Sequence, residues 1–93
     1  MKAIWNDQVI AESNNTIIVE DNHYFPEDSL NKEFFVDSDH ESTCWWKGIA
    51  KYKSIKVGEN VNTDAVWYYA DPKDEAKKIK GRYAFWKGIK IEK

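Results

Sequence analysis

Turn-forming pairs recur along this chain and cut it into runs too short for long helices. Asn6-Asp7 separates "KAIW" from "VIAES", and both residues tolerate the left-handed backbone that a tight hairpin turn needs. "TIIVE" follows, then Asp21-Asn22 as a second turn, then "HYF", where Pro26 ends the strand because it cannot donate to a ladder. "GEN" turns the chain again before "VNTDAVWYYA", in which Val61, Ala65, Trp67 and Tyr69 share one face at period two. Lys87-Gly88 divides "RYAFW" from "IKIEK", which read as a closing hairpin.

Two segments depart from simple alternation. In "KGIAKYKSIKV", Ala50 and Tyr52 fall on one parity, and Ile55 and Val57 on the other. An extra residue near Lys53-Ser54, a β-bulge, would bring both pairs to the same side. "PEDSLNKEFF" holds one or two helical turns. "DPKDEAKKIKG" carries the strongest helix signal: Asp71 as N-cap, Pro72 at the first position, Asp74 and Glu75 at the positive end, lysines in the last turn and Gly81 as left-handed cap. Ala76 and Ile79 would dock it. The expectation is a mainly β fold with a minor α component. It is a compact antiparallel assembly of about seven short strands with one or two short helices, one domain over residues 1–93.

A chain of 93 residues has a small core, and five tryptophans, five tyrosines and four phenylalanines fill much of it. Residues 1–46 carry ten acids and two bases, −8; residues 47–93 carry twelve bases and six acids, +6. The halves either neutralise each other in the fold or leave a basic surface for phosphate or nucleic acid. One cysteine excludes an internal disulfide and any zinc site built on paired cysteines. The start has no apolar signal core, and the longest apolar run, "AVWYYA", falls far short of the roughly 20 residues that span a bilayer. A soluble, cytoplasmic protein without membrane contact is expected.

The candidate site begins in "STCWWKGIAKY". Cys44 is either a nucleophile or a small buried hydrophobe, and Lys47 would favour its thiolate only if the chain turns between them. His23 and His40 lie in polar, acid-rich stretches with no spacing that links them to the thiol. Asp37 and Asp39 in "VDSDHES" are the one close carboxylate pair at alternate spacing; without a glycine-rich phosphate loop they read as a solvated acidic loop. Trp45 and Trp46, as neighbours, point to opposite faces of an extended backbone. Tyr52, Trp67 and Tyr69 are expected on inner faces. The set Cys44, Trp46, Lys47, Tyr52, Trp67 and Tyr69 has the composition of an apolar pocket with one directed cation, suited to a small, partly apolar or anionic ligand. The oligomeric state is not encoded in any of these features.

Taken together, "YFP", "C-x-x-K-G-x-A-x-Y", "W-x-Y-x-x-P" and "IKGRYAFW" closely resemble a bacterial domain-of-unknown-function family, number 427, sometimes labelled nucleotidyltransferase-like. The resemblance runs over nearly the whole chain and matches Tyr24, Pro26, Cys44, Lys47, Gly48, Ala50, Tyr52, Trp67, Tyr69 and Phe85. It implies a mainly antiparallel, beta-tent-like architecture and brings no established catalytic residues or cofactor. Trp45 stands where that family usually has proline after the cysteine. Beta-tent relatives often hold zinc on paired cysteines, which a single Cys44 cannot reproduce. The leading expectation is a binding domain. A thiol- or nucleotidyl-transfer-type enzyme using Cys44 and Lys47 is the first alternative. Single-stranded nucleic-acid binding by the interleaved lysines and aromatics is the second.

Overall fold

A computed structural model describes residues 1–93. Nine strands and three short 3-10 turns make up the regular structure. The strands are β1 (Lys2–Trp5), β2 (Gln8–Glu12), β3 (Ile17–Val19), β4 (Asn22–Tyr24), β5 (Phe35–Cys44), β6 (Gly48–Val57), β7 (Asn60–Tyr68), β8 (Tyr83–Phe85) and β9 (Lys90–Glu92). They form three antiparallel sheets in the orders β2-β1-β9, β3-β4 and β5-β6-β7-β8. None closes into a barrel. The mainly β expectation holds.

The first hairpin forms as its sequence dictates, with Asn6 and Asp7 at φ 51° and 63°. The second turn lies one residue earlier than expected: Glu20 and Asp21 take the positive φ, and Asn22 already pairs with Val19. Antiparallel register decides this, because Val19↔Asn22 leaves two residues for the turn. The displaced turn also matters chemically, since it points Glu20 toward the rest of the molecule. Pro26 follows the Phe25↔Tyr83 bridge and opens the 3-10 turn Glu27–Ser29, and a second turn spans Lys32–Phe34.

The acidic run "VDSDHES" is strand rather than loop, lying within β5. Its residues stay solvated, because β5 is an edge strand with most positions exposed. The phase slip of β6 is also resolved differently. The strand itself is regular, and both of its neighbours carry the irregularity: register shifts between Asp37 and Glu41 in β5, and between Asn62 and Val66 in β7. Asp64, at φ 56°, marks the β7 break. Ser38 Oγ donates to its carboxylate, and its own N–H donates to Ser54 Oγ at 3.0 Å, so one polar staple spans three strands.

Because β6 keeps its pleat, its two apolar pairs serve two separate cores rather than one. Ile55 joins Phe25, Val66, Phe85 and Ile10, with Val57 packed alongside. Ala50 joins Tyr24, Tyr69 and Ile79, with Tyr52 packed alongside. Along β7 and the residue after it, the break likewise sends Ala65 to the first cluster and Trp67 and Tyr69 to the second, while Val61 is exposed.

The "DPKDEAKKIKG" segment is a 3-10 turn over Asp74–Ile79, kinked at Ala76, rather than a capped α-helix starting at Asp71. The residues before it are held extended: Lys73 N–H donates to Lys47 O at 2.9 Å, and Lys73 Nζ to Trp45 O at 2.7 Å. Six residues are also too few for an α-helix to offset its nucleation cost. Ala76 and Ile79 nevertheless dock as expected, and Gly81 has φ 70°. The final two strands do not form a hairpin. β8 pairs with β7 and β9 with β1, and Lys87 and Gly88 only turn the chain between sheets.

Candidate functional site

One face of the β6-β7-β8 sheet carries a run of large rings, and register explains why. Tyr52 and Trp67 are direct cross-strand partners, so they share a face; Tyr69, two residues on, returns to it. Across the other edge of β7, Trp67 is paired with Ala84, and Trp86 lies two residues beyond that alanine. A small residue opposite Trp67 leaves room for two indoles on the same side. Trp67 and Trp86 meet edge to face, 6.2 Å apart at 88°. Tyr52, Trp67, Tyr69, Trp86 and Lys47 line an open cleft of about 220 Å³.

Every element around the cleft is tied down. Trp67 Nε1 donates to the Tyr24 hydroxyl at 3.1 Å, and Trp86 Nε1 to Asp64 O at 2.7 Å. The Tyr52 hydroxyl and Ser42 Oγ are 2.9 Å apart. Trp86 N–H donates to Ala65 O at 3.1 Å, which fixes the corner after β8.

Lys47 is 7% exposed although it sits in a turn between strands. Its ammonium is bonded to the Glu20 carboxylate from the tip of the β3-β4 hairpin. The same ammonium lies 5.3 Å from the Trp46 ring centre and 5.7 Å from that of Tyr69. Burial works against the charged lysine, but Glu20 and the phenols of Tyr24 and Tyr69 outweigh it, and Lys47 stays above its ordinary value. Conversely, the hydrogen bond from Lys47 holds Glu20 below the usual carboxylate range, and the Trp46 indole adds to that pull. Burial pushes the Tyr69 phenol up to about 12, so it is neutral at ordinary pH.

Of the six residues singled out in the sequence, four line this cleft: Lys47, Tyr52, Trp67 and Tyr69. Cys44 and Trp46 do not. Both are partly buried and pack against the second core cluster. The chain does turn between Cys44 and Lys47, with Cys44 paired to Gly48. Trp45 is 83% exposed while Trp46 packs inward; they part as expected, but on a turn and not on extended chain.

Sequence reasoning missed two residues. Trp86, just past β8, was hidden because β8 pairs with β7 rather than β9; only its even spacing from Ala84 pointed to the right face. Glu20 was hidden by the one-residue shift of its turn.

The other candidates do not line the cleft. Thr16 Oγ1 and His23 Nδ1 are 2.9 Å apart, and His40 lies against Tyr52 at 4.5 Å with the rings tilted by 55°. Asp37 pairs with Lys53 at 2.7 Å. No three His, Cys, Asp or Glu side chains converge as a metal site would require. Basic residues after position 46 are partly consumed internally: Arg82 donates to Asn15 O, and Lys87 to Thr63 O. No helix is long and apolar enough to cross a membrane.

Residues 1–93 match the family described as Domain of unknown function (DUF427), and the chain belongs to it. No curated protein matches the sequence.

Proposed function

We propose that this DUF427 domain is a small-molecule binding module whose ligand lies between Tyr52, Trp67, Tyr69 and Trp86, above Lys47. The supporting observation is the right-angled Trp67–Trp86 pair at the cleft, in which Trp67 is anchored on the second core cluster while Trp86 stays 47% exposed. Rings stacked or set edge to face contribute about 0.5–1.5 kcal/mol beyond the area they bury, so a planar group gains on both walls. Apolar lining with one directed polar group is the usual make-up of ligand sites.

Titration of small aromatic and heteroaromatic metabolites, followed by tryptophan emission, tests the reading. A ligand should shift the emission of the wild type and lose its effect in Trp86→Ala. If no compound at roughly millimolar concentration perturbs the wild type, the affinity is too weak for a binding role, and the proposal fails.

A further inference from the structure

We infer that Glu20, which does not line the cleft, sets its ligand class: by occupying Lys47 it reserves the cleft for an uncharged planar ring and turns away the anionic counterpart. The inference rests on the binding role proposed above and deepens it. A lysine beside an aromatic cleft ordinarily invites a carboxylate or phosphate. Here that invitation is already answered, because the Lys47 ammonium is bonded to the Glu20 carboxylate. The other lining residues carry no cation, and Lys87, which stands over Trp86 from outside the lining, is held by Thr63 O. Both indole N–H groups are spent, on Tyr24 and Asp64, and the Tyr52 hydroxyl has Ser42.

An anion entering this cleft would shed water against aromatic carbon and meet a cation already neutralised. Desolvating a charge without a counter-charge is costly, whereas an uncharged ring loses little. A cationic ligand is opposed as well, since Lys47 and Lys87 already stand over the Tyr69 and Trp86 rings at 5.7 and 5.1 Å. Lys87 is exposed and screened by salt. Its pull on an anion is the same whatever residue occupies position 20, so it cancels from a comparison of variants.

Glu20 is suited to this role by its position. It sits at φ 53° on a two-residue turn between three-residue strands, with its side chain half exposed. It can be replaced without opening either core cluster, because it belongs to neither.

The test uses benzamide and benzoate, which share a ring and differ in charge. Binding is followed by the indole N–H resonances of Trp67 and Trp86 in wild type, Glu20→Gln and Glu20→Gly, the last because glycine suits the positive φ. Wild type should bind benzamide about tenfold more tightly than benzoate. Both variants should close or reverse that ratio by gaining benzoate affinity, with benzamide little changed. Equal affinities in wild type, or an unchanged ratio in two folded variants, would overturn Glu20's role while leaving the binding module standing. Failure of both probes to move either indole in any of the three proteins would remove the cleft as a ring-binding site, and this inference with it.

Discussion

Trp67 donates its indole N–H to the hydroxyl of Tyr24 at 3.1 Å, and the two rings meet edge to face at 6.2 Å and 88°. The bond joins β7 to the β3-β4 hairpin across 43 positions of sequence, and it fixes the orientation of one cleft wall from behind. Tyr24 is completely buried, so its hydroxyl has no water to fall back on.

Trp67→Phe, which leaves that hydroxyl without its donor, should therefore cost about 1–3 kcal/mol, the usual penalty for orphaning a buried partner. Urea unfolding of Trp67→Phe, of Tyr24→Phe and of the double variant checks this. The double variant should be less destabilised than the sum, since it removes donor and acceptor together. Strict additivity would mean that the bond contributes nothing to stability.

The Glu20–Lys47 pair makes stability depend on pH at both ends of the range. Glu20 is held below its ordinary value, so its contribution is complete above about pH 4–5 and is lost as pH falls through the lowered folded value. Lys47 is raised, so its contribution is complete below about pH 10 and is lost as pH climbs through the raised one. Between these limits the difference in urea midpoint between wild type and Glu20→Gln should be flat. It should shrink in acid, where protonated Glu20 resembles glutamine. A difference that grows toward acid would show that the pair is not the coupled group.

Much of this was readable from residues alone, and the reasons are local. Asn6-Asp7 and Gly58 have backbone preferences that no distant contact opposes, so those turns form as written. Tyr52, Trp67 and Tyr69 were placed together because strand parity is strict over a few residues. What failed depended on pairing partners. Lys87-Gly88 turns as its residues require, yet the flanking strands join different sheets, because Ile91 finds Ala3 and Tyr83 finds Tyr68. The same non-local choice moved Trp86 into the cleft. The segment from Asp71 to Lys73 carries good helix-start chemistry, but the bonds from Lys73 to Lys47 O and Trp45 O hold it extended.

Gly48 sits directly after Lys47 with φ 113°, a conformation that side chains rarely adopt. A Cβ there would meet Lys73 N, Asp71 O and Pro72 Cα at 3.5–3.6 Å, which is ordinary contact. The cost of Gly48→Ala should thus come from backbone strain and not from collision, on the order of 1–3 kcal/mol. Gly58→Ala, at φ 59° with open space around it, serves as the comparison for a turn glycine under milder strain. Chemical denaturation of both variants measures the two costs, and Gly48→Ala should also shift the Trp86 indole resonance if the Lys47 backbone moves with it.

Cys44 decides between a binding module and an enzyme. It stands at the end of β5 with a turn before Lys47, the turn that thiolate assistance would require. Assistance also needs an uncommitted cation, and the Lys47 ammonium is bonded to Glu20. Alkylation by iodoacetamide should therefore proceed on the folded protein, because Cys44 is only partly buried. The rate at neutral pH should be the same in Lys47→Ala as in wild type. The informative variant is Glu20→Gln, which frees the lysine: if Lys47 lies within reach of the thiol, labelling should quicken there and only there. A marked slowing in Lys47→Ala alone would show that the cation already supports a thiolate in the wild type. That result would return Cys44 and Lys47 to consideration as a catalytic pair.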